Sequence, residues 1–139
     1  MKQENKELLL KDLCARLPYG VKCYDEAQRE VGVFKHFEYD GFGRIHNGRG
    51  VRFIENIKPY LFPLSSMTKE QESYLHFNTK FRLDICNDLT VKIDEDDSCF
   101  YTDTYDYISL IDWLNKNHFD YRGLIEKGLA IDATGLNIY

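Results

Sequence analysis

The chain has 139 residues, 43% of them hydrophobic and 14% aromatic, and a formal net charge of −5. This is the balance of a globular chain long enough to bury one core, and it excludes a disordered segment. The negative charge argues against a general nucleic-acid or anionic-membrane binder, and no apolar run approaches the roughly 20 residues that span a bilayer.

Residues 5–17 predict the first helix. Leu9 (or Leu10), Leu13 and Leu17 form its apolar stripe with Cys14 beside it, while Lys6, Glu7, Lys11, Asp12 and Arg16 fill the other positions. Pro18 stops it and Tyr19-Gly20 turns the chain. The period then changes to two: Val21, Cys23 and Asp25 alternate with Lys22 and Tyr24, and after a turn near 26–28 come Val31, Val33, His36 and Phe37. Asn47-Gly48 signals a type I′ hairpin, whose two-residue loop places Phe42 opposite Phe53 so that both can bury on one face. The result is a three- to four-stranded antiparallel meander of the size of a small SH3-like barrel. Residues 57–64 follow, with Pro59 and Pro63 four apart. They predict a 3₁₀ turn or an extended strap, pinned to the core by its apolar side chains.

Thr68 with Gln71 three residues later matches a capping box, and opens a helix running to about Phe77. Phe81, Leu83 and Ile85 alternate, as do Leu89, Val91 and Ile93. One apolar face requires a hairpin pairing Leu83 with Val91 and Ile85 with Leu89, across a loop at 86–88. Residues 99–102 add a short strand. Tyr107, Leu110, Ile111 and Leu114 share one helical face and define the main C-terminal helix. Asp103 or Thr104 caps it, and it ends at Asn117-His118, where the helix dipole favours a His118 cation. Asp120, the apolar set Tyr121, Leu124 and Ile125, and Gly128 predict a short second helix. Arg122 and Lys127 set against Glu126 are too little positive charge for that helix to grip DNA. The expected fold is α+β: an N-terminal helix, a small antiparallel β-meander, a second β-hairpin and a C-terminal helix pair. It forms a single domain, 1–139, with sub-regions 1–64 and 65–139.

Candidate chemistry is sparse. The stretch 41–50 holds four glycines, with Arg44, His46, Arg49, Arg52 and Phe42 in and around it, yet it matches neither a dinucleotide-binding nor a P-loop pattern. From Arg29 to Lys58 six basic side chains face four acidic ones. With Phe34, Phe37, Tyr39 and Phe53 interleaved, this hairpin is a candidate stacking surface for single-stranded nucleic acid. From Asp84 to Asp106 the chain carries eight acids and one lysine. Within that run Asp94-Glu-Asp-Asp97 departs from a calcium loop at the glycine and at the last ligand, so a solvated acidic loop is expected and no metal or cofactor. His36, His46, His76 and His118 have no metal-ligand spacing, and no nucleophile elbow is present. The four cysteines, Cys14, Cys23, Cys86 and Cys99, form no C-x-x-C pair, so free thiols in a reducing compartment are expected. The first seven residues lack a signal-peptide core, which also points to the cytoplasm.

Three phrases, Asp12-Leu-Cys-Ala-Arg-Leu-Pro-Tyr-Gly-Val-Lys22, Ile57-Lys-Pro-Tyr-Leu-Phe-Pro-Leu-Ser-Ser-Met67 and the segment from Ile111 through Trp113 and Tyr121 to Ile131, cover about a third of the chain. They resemble a family of short uncharacterised proteins from gut Bacteroides and related bacteria, some carried on phages or other mobile elements. The resemblance implies a cytoplasmic bacterial or phage accessory protein and brings no activity, cofactor or catalytic residue. The leading expectation is a non-enzymatic module that binds a protein partner, acting as a monomer or homodimer away from membranes. Its candidate partner surface is Asp112, Asn115, His118, Asp120 and Arg122, read as the exposed face of the helix pair. The alternative is a nucleic-acid-associated protein using the hairpin 34–53, and an enzyme of unrecognised type comes third.

Overall fold

The computed structural model describes residues 1–38, 42–45, 52–79, 81–84, 90–93 and 104–139, with side chains described over 1–37, 52–75 and 108–139. Helix α1 spans Gln3–Arg16 and passes into a 3₁₀ turn at Leu17–Tyr19, where Pro18 has no N–H to continue the ladder. Gly20 then takes a left-handed φ of 64°, which reverses the chain without a side-chain clash. Leu9 and Leu13 are fully buried. Each contributes about 1.5–3 kcal/mol by leaving water. Three positions correct the helical reading: Asp12 and Arg16 also have no exposed surface, whereas Cys14 is exposed. Charge alone put the pair on the solvent face; their mutual pairing lets them sit inside.

Strands β1 (Lys22–Asp25), β2 (Glu30–Glu38), β3 (Phe42–Ile45) and β4 (Arg52–Phe53) form the expected antiparallel meander. Val21, Cys23 and Asp25 point inward, as their alternation requires. Asp25 is buried without penalty because its carboxylate accepts the Ala27 and Gln28 amides at 2.9 and 3.2 Å and the Arg52 Nε at 2.5 Å. The β2–β3 register shifts between Phe34 and His36. This bulge brings Phe37 round beside buried Phe34, their ring centroids 4.7 Å apart. Phe42 pairs with Phe53, the register expected from the Asn47-Gly48 turn, although Phe53 itself is 55% exposed rather than buried. That turn, His46, Arg49 and the 86–88 and 94–102 segments lie outside the described residues.

The proline strap is a strand, β5 (Ile57–Pro63), and it changes partners along its length. Its first half pairs antiparallel with β1, Cys23 opposite Pro59. Its second half runs parallel to β8 (Phe119–Asp120) and β9 (Ile131–Asp132), with Phe62 opposite Phe119 and Tyr60 opposite Ile131. The sheet is therefore mixed, in the order β4-β3-β2-β1-β5-β8 with β9 also on β5. Pro59 sits before the parallel ladder begins and Pro63 closes the strand, the places where a missing N–H costs least.

Helix α2 (Lys69–Thr79) starts on the expected capping box: the Gln71 amide N–H donates to Thr68 Oγ1 at 3.2 Å and the Thr68 N–H to Gln71 Oε1 at 2.9 Å. Strands β6 (Phe81–Asp84) and β7 (Thr90–Ile93) pair in the expected register, Leu83 opposite Val91. Helix α3 spans Thr104–Lys116, burying Leu110 and Leu114 while Ile111 is 36% exposed, against its expected place on the core face.

The second helix of the expected pair does not form; residues 124–128 are a turn flanked by bends. Gly123 and Gly128 both take left-handed φ, 70° and 69°, so the former interrupts any helical run through Tyr121. The Asp120 carboxylate reaches the amides of Leu124 and Ile125, past the second and third positions that an N-cap serves. Gly128 does close a left-handed turn, with the Leu129 N–H donating to the Leu124 carbonyl at 2.9 Å, but one turn is all that precedes it.

Among the described residues, two apolar clusters form. Leu9, Leu13, Val21, Cys23, Phe34, Ile57 and Leu61, with Leu124 and Leu129 of the turn segment, fill the space between α1 and the sheet. Met67, Leu75, Leu110, Leu114 and Phe119 join α2 to α3. Among the described residues no helix is long and apolar enough to cross a membrane.

Candidate functional site

The α2–α3 cluster does not close at its surface. On α2, Glu70, Gln71 and Tyr74 are three and four residues apart and share a face; on α3, Trp113, Lys116 and Asn117 do the same. These six line a cleft of about 370 Å³. A second cleft of about 470 Å³ shares Gln71, Lys116 and Asn117 with it and continues past Phe62, His118 and Tyr139. Together they make one open groove with three polar residues across its middle.

Aromatic rings floor it. Tyr74 stacks on Trp113 at a centroid distance of 6.0 Å and Trp113 on Phe119 at 5.6 Å, with interplanar angles of 22° and 16°. Phe119 meets Phe62 at 6.3 Å and Phe62 meets Tyr139 at 5.9 Å. The end members remain open to solvent, Tyr74 at 53% and Tyr139 at 44%. A nucleobase sandwiched between two rings needs them about 7 Å apart, twice the close-packed stacking distance. The internal rungs here are already in contact, so a ligand meets ring faces and edges along the groove.

The polar groups are held by specific bonds. Gln71 Oε1 is fixed by the capping box, which leaves its NH₂ as a donor. Asn117 Nδ2 donates to the Trp113 carbonyl at 2.9 Å and closes the end of α3. His118 follows at φ 60°, a left-handed C′ position. Its ring stacks on Tyr139 with centroids 3.8 Å apart and planes 10° from parallel. The Tyr139 hydroxyl donates to the Tyr60 carbonyl at 2.8 Å and accepts the Lys22 amide at 3.1 Å, while Lys22 Nζ donates to the Ile138 carbonyl. Burial pushes the Tyr139 phenol pKa up, so it stays a neutral donor. Burial, then the Arg16 and Lys22 charges, bring the His118 pKa down to about 4. The imidazole is neutral at pH 7, against the cation expected at a helix C-terminus; enclosure outweighs the helix dipole here.

Beneath the groove lies a buried ionic cluster. Arg16 Nε and Nη2 donate to the two Asp12 oxygens at 2.7 and 3.0 Å, and Nη2 also donates to the Phe119 carbonyl at 2.7 Å. Arg122 Nε lies 3.4 Å from Asp12, an ion pair outside hydrogen-bond geometry. Both guanidiniums lie over the Tyr121 ring, at 5.5 and 5.0 Å. Arg16 Nη1 and His118 Nδ1 are buried without hydrogen-bond partners among the described residues. Cys23 is enclosed nearby, and burial raises its thiol pKa, which makes it a packing group rather than a nucleophile. Among the described residues no three His, Cys, Asp or Glu side chains converge on a metal position.

The residues singled out from sequence divide sharply. Of the expected exposed surface, Asp112 is exposed and Arg122 is partly covered. Asn115, His118 and Asp120 are buried. Asn115 accepts the Tyr121 hydroxyl at 3.0 Å and Asp120 caps the turn, so these serve the scaffold, and His118 alone lines the groove. In the basic hairpin, Arg52 is engaged with Asp25. Phe42 and Arg44 lie on β3 with side chains outside the described set, as are His46 and Arg49 altogether. Trp113, Tyr74 and Lys116 were not singled out. The usable signal was the coincidence of a capping box that fixes the phase of α2 with a Trp113-x-x-Lys116-Asn117 face on α3. No protein-family model, no curated protein and no solved structure matches this chain.

Proposed function

We propose that the protein is a non-enzymatic accessory module, of bacterial or phage origin, that binds a segment of a partner protein in the α2–α3 groove. The observation that carries this is the aromatic floor running from Tyr74 through Trp113 to Tyr139, open to solvent at both ends. Rigid aromatic side chains supply large contact area at little entropic cost, and they dominate protein-recognition hot spots. The groove's two linked clefts are open, whereas small-molecule sites enclose most of their ligand. An extended peptide fits such a shape, with ring faces taking side chains and carboxamides meeting its backbone. The proposed setting is the cytoplasm. The module works as a monomer or homodimer. The nucleic-acid reading, which uses the hairpin 34–53, has less support, since Arg52 is committed to Asp25 and the Phe34 ring is buried beside Phe37.

The test is panning of random 12-residue peptides displayed on phage against the immobilised full chain, with the Trp113→Ala and Tyr74→Ala proteins as counter-targets. Trp113 is the only tryptophan of the chain, so its emission reports groove occupancy by each recovered peptide that lacks tryptophan. Peptides that shift Trp113 emission and are lost on Tyr74→Ala support the reading. Recovery of no peptide above the counter-targets would overturn it.

A further inference from the structure

We infer that the groove selects peptide segments in which an acidic residue stands between two bulky apolar residues. This rests on the reading of the groove as a peptide site and assigns its specificity.

The lining divides into two apolar subsites, Tyr74 with Trp113 at one end and Phe62 with Tyr139 at the other. Gln71, Lys116 and Asn117 belong to both clefts and so lie between the subsites. Steps of 5.6, 6.3 and 5.9 Å lead from Trp113 through Phe119 and Phe62 to Tyr139. At roughly 3.3–3.6 Å per extended residue, the two anchors of a bound peptide are at most about five residues apart.

Lys116 decides what stands between them. It is exposed and forms no ion pair among the described residues. Among the described residues that line the larger cleft, Lys116 carries the one charged side chain, because the His118 imidazole is neutral. The first turn of α2 lines the same cleft through Thr68 and Gln71, and Glu70 and Glu72 in that turn offset the positive end of its dipole, so Lys116 supplies the attraction. Glu70 lines only the smaller cleft, so a carboxylate is repelled from the Tyr74 end and directed to the middle. The Gln71 NH₂ and the Asn117 Oδ1, left over from their structural bonds, are a donor and an acceptor for the peptide backbone at that same point.

The pool recovered by panning gives the first readout: enriched peptides carry Asp or Glu between two of Leu, Ile, Met, Phe, Tyr or Trp. One of them that lacks tryptophan is then synthesised with its acid, with the matching amide and with lysine at that position. Each is titrated by Trp113 emission against the wild type, Lys116→Gln and Lys116→Glu. The acid-to-amide change weakens binding to the wild type roughly two- to fivefold, the range of an exposed ion pair, and has no effect on Lys116→Gln. The lysine peptide regains affinity on Lys116→Glu. Peptides enriched without an acid between the anchors, or an acid-to-amide loss that persists on Lys116→Gln, overturn the specificity while leaving the peptide site standing. No enrichment at all removes both. Lys116 is exposed, and a thermal melt of each variant within a few degrees of the wild type confirms that the binding change is local.

Discussion

Helix α1 and helix α3 handle charge and apolar surface in opposite ways. Helix α1 buries a carboxylate and a guanidinium among leucines, and Asp12 and Arg16 show no exposed surface. Helix α3 leaves Ile108 at 53% and Ile111 at 36% exposure, and turns its tryptophan toward an open groove. The α1 core is closed by a polar plug in which Arg16 ties the helix to the Phe119 carbonyl of the parallel ladder. The α2–α3 cluster is capped by half-covered rings. A closed region with an internal ion pair depends on every partner being present, and an open aromatic layer tolerates change and has surface left to offer.

The largest effect that separates the two regions is at Asp12. Asp12→Ala leaves the Arg16 cation buried and uncompensated, which costs about 3–5 kcal/mol. Urea unfolding of this variant should show the midpoint falling accordingly, or the protein failing to fold at 37 °C. Replacing both partners, Asp12→Leu with Arg16→Met, removes the charges together and should recover most of the loss, since such replacements are often neutral or stabilising by about 1–4 kcal/mol. A double variant no better than Asp12→Ala would mean that the Arg16 bond to Phe119, not charge balance, holds the plug.

The Asp120 carboxylate comes next. It accepts the Leu124 and Ile125 amides at 3.0 and 2.8 Å and so organises the turn that replaces a helix. Asp120→Ala strands those two donors, at about 1–3 kcal/mol. Hydrogen exchange at Leu124 and Ile125 should accelerate, with the α2–α3 cluster unchanged. If exchange rose equally across α3, the plug and the groove would be one cooperative unit and the contrast drawn above would fail.

What was readable in the sequence follows the same division. Period-two alternation at Val21, Cys23 and Asp25, the capping box at Thr68 and Gln71, and the Leu83–Val91 register were legible because each is set by near neighbours. Asp12 and Arg16 misled because their burial depends on Phe119, Tyr121 and Arg122, more than 100 residues away in sequence. The second helix misled because Gly128 does end a turn as expected, while Gly123 and the reach of Asp120 decide how short that turn is. The parallel partners of β5 are two residues each, too brief for any pattern to announce. The groove needed the relative rotation of α2 and α3, which neither helix encodes alone.

A smaller effect lies at His118, which bridges the two regions. Its pKa is about 4 in the folded chain and 6.5 when free. Above pH 6.5 both states are neutral and the preference is fully present. As pH falls from 6.5 toward 4 the unfolded chain takes the proton first, so stability declines. His118→Asn keeps a residue that tolerates left-handed φ and removes the titration. The drop in melting temperature between pH 7 and pH 5 should therefore be larger for the wild type than for His118→Asn. Equal drops would place the imidazole in contact with solvent.

The smallest expected effect is the one that most sharpens the contrast. Lys116 stands in the last turn of α3, exposed, where its charge complements the helix dipole. Lys116→Glu forfeits that complement, at about 0.3–1 kcal/mol, and removes no packing. The melting temperature should move by a few degrees at most, and the Trp113 emission spectrum of the free protein should be unchanged. A groove residue whose reversal of charge scarcely touches the fold is not needed by the fold, and under the proposed specificity the same substitution should change what the groove binds. Cooperative loss of structure on Lys116→Glu would instead make the groove part of the scaffold, and would remove the distinction between a region that holds the chain together and one that is left free to bind.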